Sequence, residues 1–209
     1  MTSRGATLVV SFGTSFPGTL ERNIAAIERE IAAALPDMPV RRAFTSGMIL
    51  RKLARRDGVV IDDVPQALDR LYREGYRGLL FDIDNTLVPH GEKADERAVA
   101  LFKRLKKIGF SCCLISNNKR ERVQMFNRDI QVPFIENAHK PSSKNYLRAM
   151  ELLGTNQRNT IFIGDQLFTD IYGAKRAKIR TILVKPIHPK EEIQIVLKRY
   201  LEKIVLHFY

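Results

Sequence analysis

Two aspartates two residues apart, Asp82 and Asp84, end an apolar run in the segment Phe81-Asp82-Ile83-Asp84-Asn85-Thr86-Leu87. Leu79, Leu80 and Phe81 read as a buried strand, and positions i and i+2 of an extended chain face the same way. Both carboxylates therefore leave the strand end side by side. Adjacent carboxylates repel unless a cation or a shared proton lies between them. The pair suits a magnesium-assisted attack by one carboxylate on a phosphate, with the other shuttling the proton.

Three further groups follow, at strand ends or just after them. Ser116-Asn117-Asn118 offers short hydrogen-bonding side chains, Lys140 in His139-Lys140-Pro141-Ser142 offers a point charge, and Asp165 lies in residues 164–170 (GDQLFTD). Taken singly, Ser-Asn-Asn reads as a turn and Lys-Pro as a solvated loop, because Asn, Ser and Pro favour turns for local reasons. Taken in order, they form a set that a doubly wound sheet brings to one rim, beyond the carboxyl ends of its strands.

The elements that must position them alternate regularly. Apolar runs at 8–12, 40–44, 79–81, 110–116, 132–135, 160–164 and 181–184 read as strands. Helical spacing falls at 20–35, 48–57, 64–74, 95–107, from 120, at 143–153, at 170–177 and from 190 onward. Such βα alternation predicts an α/β fold of three layers, with helices on both faces of a mainly parallel sheet.

On residues 81–89 (FDIDNTLVP), 114–119 (LISNNK), Lys140-Pro141-Ser142 and 163–170 (IGDQLFTD), the chain from about 79 to 209 resembles the haloacid dehalogenase (HAD) superfamily. It is most similar to the YqeG family of class IIIA phosphatases. The resemblance implies Asp82 as the nucleophile that forms an aspartyl-phosphate. It implies Asp84 as the acid and then base, and Thr86 as support for the loop. Ser116, with Asn117 nearby, would hold the phosphoryl oxygens, and Lys140 would neutralise charge on nucleophile and phosphate. Mg2+ would be held by Asp82, the Asp84 carbonyl and Asp165; hard oxygen donors are what magnesium requires. Asp170 reads equally as an outer support of the site or as a helix N-cap. A carboxylate at position 84 implies a phosphatase rather than a dehalogenase, since C–halogen cleavage needs no leaving-group acid.

The intervals from Thr86 to Ser116 and from Ser116 to Lys140 each hold one helix and one strand, leaving no room for a cap domain. An open site favours a bulky phosphorylated substrate, such as a phosphoprotein or a phospholipid headgroup. The resemblance to the mitochondrial relatives of the YqeG family makes phosphatidylglycerophosphate the specific expectation. Ile193, Val196, Leu197, Tyr200, Leu201, Ile204, Val205 and Phe208 recur at helical spacing, with Lys198, Arg199, Glu202 and Lys203 at the other positions. That stripe either packs on the sheet or a partner chain, the commoner fate of such faces, or lies on an anionic membrane surface.

A net charge of +12, from 35 basic and 23 acidic residues, favours anionic partners. No basic-aromatic stripe or finger motif accompanies it, so no specific nucleic-acid partner is expected. Cys112 and Cys113 sit in an apolar run and read as reduced core residues. The opening residues lack a secretory layout, and a cytoplasmic protein, at most peripheral to membranes, is expected.

Residues 1–78 hold 11 Arg and the single Lys52, whereas the remainder is rich in lysine. Solvent faces do not demand such a shift, which points to segments of different origin. Residues 8–15 (LVVSFGTS), 40–45 (VRRAFT) and 48–58 (MILRKLARRDG) make residues 6–76 similar to the opening part of the anaerobic sirohydrochlorin cobaltochelatases. The two expected domains are therefore 1–77, chelatase-like, and 78–209, HAD-like. None of His90, His139, His188 and His207 stands in the chelatase sequence context. The turn 11–15 reads as an ordinary strand end, or as an anion-binding nest. In flavodoxin-like order the first strand would pair beside the strand bearing Asp82, the position the HAD arrangement gives to 160–164. We expect the HAD pairing to win, with the N-terminal unit attached at a sheet edge or exchanged between the chains of a homodimer. A phosphatase is the leading reading. A laboratory or natural fusion without dedicated activity is the alternative, and a tetrapyrrole metal chelatase ranks last.

Overall fold

The computed structural model describes residues 7–11, 15–34, 40–44, 47–184 and 186–188. The expected C-terminal amphipathic helix, and residues 12–14 of the turn that follows the first strand, lie outside these residues. The chain divides into two compact units, Met1–Glu74 and Gly75–Tyr209.

In the N-terminal unit, β1 (Thr7–Ser11), β2 (Val40–Phe44) and β3 (Asp62–Asp63) form a parallel three-stranded sheet in that order. A helical stretch begins at Pro17 as α1 (Pro17–Thr19), widens to π geometry over Leu20–Ala25 and continues as α2 (Ala26–Ala34). Then come α3 (Gly47–Asp57) and α4 (Val64–Arg73). The short β3 has no apolar run to announce it. Its Asp63 also caps α4: the carboxylate accepts from the Gln66 amide at 2.7 Å, and the Gln66 side chain accepts in return from the Asp63 amide.

The C-terminal unit is built on a five-stranded parallel sheet of order β6-β5-β4-β7-β8: β4 (Gly78–Phe81), β5 (Ser111–Ile115), β6 (Phe134–Ile135), β7 (Thr160–Gly164) and β8 (Arg180–Leu183). Its helices are α5 (Glu96–Ile108), α6 (Arg120–Asn127), α7 (Lys144–Leu153) and α8 (Tyr172–Arg176). Every residue of β4 and β7 is buried, as central parallel strands require. The Asp95 carboxylate starts α5 by accepting from the Ala98 amide at 2.7 Å. Gly109 ends it at φ 110°, a left-handed turn that favours glycine. Leu80, Cys113, Ile115, Tyr146, Met150 and Phe162 belong to one buried cluster. Burial pushes both cysteine thiols up to about 12, so they sit in the core as free thiols.

The contested edge of β4 goes to β7, as expected. Among the described residues the N-terminal strands form a sheet of their own. Register then fixes the rim. Phe81 pairs with Leu114 on one side and Ile163 on the other, so the residues just beyond these three emerge together. The connections between these strands contain only α5, α6, β6 and α7 with their loops, and no cap is inserted.

Candidate active site

β4 ends as the Asp82 amide donates to the Ile163 carbonyl at 2.9 Å, and the chain then folds into a tight loop. The Thr86 and Leu87 amides donate back to the Ile83 carbonyl, and Asn85 takes φ 60°, a left-handed conformation that Asn tolerates well. This loop sends the two aspartates to different partners.

Asp82 faces inward. Its Oδ1 accepts from Lys140 Nζ at 2.5 Å, and the same ammonium donates to Asp170 Oδ1 at 2.6 Å. The Thr86 hydroxyl lies 3.1 Å from Asp165 Oδ1 and 3.4 Å from Asp82 Oδ2, bridging the two strand ends. Asp82, Asp165 and Asp170 bring one carboxylate oxygen each within 4.8 Å of one another, all buried. Burial pushes the Asp82 carboxyl up to about 8 despite the pull of Lys140, and the neighbouring Asp170 and Asp165 push the same way. Burial works against the Lys140 ammonium, but Asp170 and Asp82 outweigh it and hold its pKa above the ordinary lysine value. The ammonium therefore stays charged, while Asp82 keeps its proton unless more positive charge arrives.

Three buried carboxylates facing one ammonium form a site with negative charge to spare and only hard oxygen donors. That donor set fits a divalent cation. Asp82, Asp165 and Asp170 are the side chains that would hold it. The Asp84 carboxylate stands outside this trio.

Lys140 reaches the centre because its backbone is pinned. Its amide donates to Asn117 Oδ1 at 2.7 Å and its carbonyl accepts from Asn117 Nδ2 at 3.3 Å. The Ala138 and Asn137 amides donate to the Ser116 and Asn118 carbonyls. Asn117 is thus committed to holding the Lys140 loop. Ser116 Oγ, 1% exposed as a residue, accepts from the Asn118 amide at 3.2 Å and from Asn118 Nδ2 at 3.1 Å. With both acceptor positions used, its hydroxyl proton is left to donate to an incoming oxygen.

Asp170 proves more central than either of its sequence readings. It lies in a π-helical turn, Leu167–Ile171, whose N-cap is Gln166, and its Oδ2 accepts from the Gln166 amide at 3.1 Å. The turn is held from below by the Tyr146 hydroxyl, which donates to the Thr169 and Asp170 carbonyls at 3.2 and 3.1 Å. Tyr146 stacks edge-on against Phe162, whose ring lies 5.7 Å from the Lys140 ammonium. Gly164 completes the cradle, since a Cβ there would stand 2.6 Å from Asp170 Oδ2. Gly164→Ala is therefore expected to push Asp170 off Lys140. The expected cost is about 1–3 kcal/mol of stability, with a loss of turnover, read by thermal melting and phosphate release.

Asp84 faces away from the trio. Its Oδ1 accepts from Arg122 Nη2 at 2.7 Å and from the Gly91 amide at 2.8 Å, and its Oδ2 accepts from Asn118 Nδ2 at 2.6 Å. Reading the sequence singled out neither Arg122 nor Asn118 in this role. Asn118 was at least visible within the Ser-Asn-Asn segment, whereas Arg122 looked like any basic residue early in a helix.

The family model for CbiK, cobalt chelatase, matches residues 5–164, and a HAD-hydrolase-like model matches residues 137–192. The chain is 32% identical over 139 residues to the probable phosphatase YqeG of Bacillus subtilis, covering 66% of this chain and 81% of that protein. It is 58% identical over 102 residues to the sirohydrochlorin cobaltochelatase of Salmonella typhimurium, covering 48% of this chain and 38% of that protein. The chain thus spans well under half the length of that chelatase relative. Among solved structures, the cobalt-bound deoxy-D-mannose-octulosonate 8-phosphate phosphatase of Haemophilus influenzae aligns with a TM-score of 0.43 at 14% identity, over 58% of this chain and 82% of that one. The chain belongs both to the CbiK cobalt chelatase family and, through a match too long for its N-terminal unit alone to hold, to the YqeG family of HAD phosphatases.

Proposed function

We propose that the protein is a magnesium-dependent phosphomonoesterase working through an aspartyl-phosphate at Asp82. The observation that carries this reading is the single Lys140 ammonium bridging Asp82 and Asp170, with Asp165 beside them. A bound cation would supply positive charge that drives the proton off Asp82 and draws in the substrate phosphate. The Asp82 carboxylate then attacks phosphorus while the ester P–O bond breaks. Lys140 and the Ser116 hydroxyl hold the transferred phosphoryl oxygens, and Asp84 gives a proton to the departing alcohol. Asp84 next takes a proton from water as that water attacks the phospho-Asp82, releasing inorganic phosphate and restoring the carboxylate. Every one of these residues lies in the C-terminal unit, so the chemistry asks nothing of the chelatase-like segment.

The substrate class we favour is a phospholipid monoester such as phosphatidylglycerophosphate, because no cap domain is inserted in the connections between β4, β5 and β7 and the chain is strongly basic. The test is release of inorganic phosphate from p-nitrophenyl phosphate and from phosphatidylglycerophosphate vesicles, with Mg2+ or with EDTA. Turnover that needs Mg2+, with the lipid preferred at equal concentration, is expected. Activity that persists in EDTA would overturn the metal assignment, and preference for a small soluble phosphate would overturn the lipid one. A fusion without dedicated activity would turn over neither substrate.

A further inference from the structure

The two oxygens of Asp84 are not equivalent. Oδ1 accepts from three donors: Arg122 Nη2 at 2.7 Å, Arg122 Nε at 3.3 Å and the Gly91 amide at 2.8 Å. His90 Nδ1 stands a further 3.8 Å away. An oxygen so surrounded by N–H groups has no lone pair left for a proton. Among the described residues Oδ2 accepts from Asn118 Nδ2 alone, at 2.6 Å, and that same amide nitrogen donates to Ser116 Oγ at 3.1 Å. Oδ2 is thereby tied toward Ser116, where the phosphoryl group is to be held.

Arg122 carries the larger share of this arrangement. Its side chain is 14% exposed against 11% for Asp84, so the pair is largely withdrawn from water. Its Nη1 is buried and has no hydrogen-bond partner among the described residues. A buried N–H left unmade costs about 1–3 kcal/mol. A residue serving only to fill space on α6 would avoid that cost with an apolar side chain. The guanidinium is retained where it holds one carboxylate oxygen in a two-donor grip that lysine cannot reproduce.

We propose that Arg122 is the positioning residue that fixes Asp84 Oδ1 and so assigns Oδ2 as the oxygen that carries the proton to the leaving group. This rests on the phosphatase reading above. In the first step Asp82 forms its bond to phosphorus, the P–O bond to the alcohol breaks, and the proton on Asp84 Oδ2 passes to the departing oxygen. In the second, Oδ2 recovers a proton from the attacking water. Arg122 touches neither substrate nor phosphorus and acts only through Asp84.

A leaving-group comparison separates this role from a structural one. p-Nitrophenolate departs with little need of an acid, whereas an alkoxide cannot leave without one. The ratio of kcat/KM for glycerol 2-phosphate to that for p-nitrophenyl phosphate is measured for the full chain with Mg2+, alongside Arg122→Met and Arg122→Lys, with folding checked by thermal melting. General acid catalysis contributes roughly 100-fold or more. The ratio is expected to fall on the order of 30-fold or more in Arg122→Met, with partial recovery in Arg122→Lys. In an Asp84→Asn background the ratio should no longer respond to Arg122. Equal losses on both substrates, or an unchanged ratio in Arg122→Met, would overturn the proposal. A wild-type chain inactive on both substrates would instead overturn the phosphatase reading beneath it.

Discussion

Asp82→Asn is expected to abolish phosphate release, by about 1,000-fold or more, while making the cation-free protein more stable. The first effect follows from losing the nucleophile, since an amide oxygen cannot form the acyl-phosphate. The second follows from burial. The Asp82 carboxyl is pushed up to about 8 in the folded protein, against an ordinary 3.8. Between these values the unfolded chain releases its proton while the folded chain keeps it. The folded state binds more protons there, so stability falls as pH rises from about 4 to about 8 and levels off above. Asparagine has no proton to lose and escapes this decline. The variant should therefore melt at a higher temperature than the wild type, by on the order of 1 kcal/mol or more near pH 8, with the gap closing toward pH 4. Mg2+ should narrow the gap by stabilising only the wild type. Melting curves across that pH range, with and without Mg2+, provide the check. A variant less stable than the wild type at pH 8 would contradict the buried-charge account of the site.

Lys140→Met should be the most destabilising single change at the rim. The ammonium is the one cation seen between Asp82 and Asp170, and its side chain is 4% exposed. Removing it leaves a cluster of buried carboxylates without compensation. Breaking a buried pair from one side costs about 3–5 kcal/mol, because the remaining charge is stranded away from water. A loss of that size in a unit of this length lowers Tm by on the order of 10 °C. Two features make the prediction specific. Mg2+ should recover part of the lost stability, since it can replace the missing positive charge among the same oxygens. The double variant Lys140→Met/Asp82→Asn should be more stable than Lys140→Met alone near pH 8, since asparagine removes the carboxyl that must hold its proton against solution to stay buried. A Tm for Lys140→Met equal to that of the wild type would mean that the three carboxylates are not close together in solution.

Both expectations depend on contacts between residues far apart in sequence, and this is where sequence and structure divide. The β4 run and the strand-end positions of Asp82, Ser116 and Asp165 were legible because each is a local matter: apolar runs become strands, and the residue after a strand emerges at the rim. The shared facing of Asp82 and Asp84 expected from their i, i+2 spacing was not kept, because the loop after β4 sends them to different partners. The change in Lys/Arg usage also marked a seam near residue 78, close to the division of the chain at Gly75. Strand choice was not legible in the same way. β1 and β7 are both apolar, parallel-type runs that can cover the edge of β4, and hydrophobic pattern alone does not rank them. The fold gives that edge to β7, and β1 pairs with β2 instead.

The side-chain assignments at the rim divide along the same line. Sequence placed Asp170 near the site but left open whether it supported the site or capped a helix; the π turn and Tyr146 bring its carboxylate onto Lys140. Asn117 was grouped with the phosphate-holding residues by adjacency to Ser116, and its amide instead clamps the Lys140 backbone. Arg122 had no local mark at all, because its meaning lies in an ion pair with Asp84 across two strands' loops. What the sequence determined alone was the list of reactive groups and the strand ends that carry them, since those follow from short-range pattern. Which group touches which was decided only by tertiary structure, because hydrogen bonds and ion pairs depend on ångström-scale distances that register and loop closure set across the whole sheet.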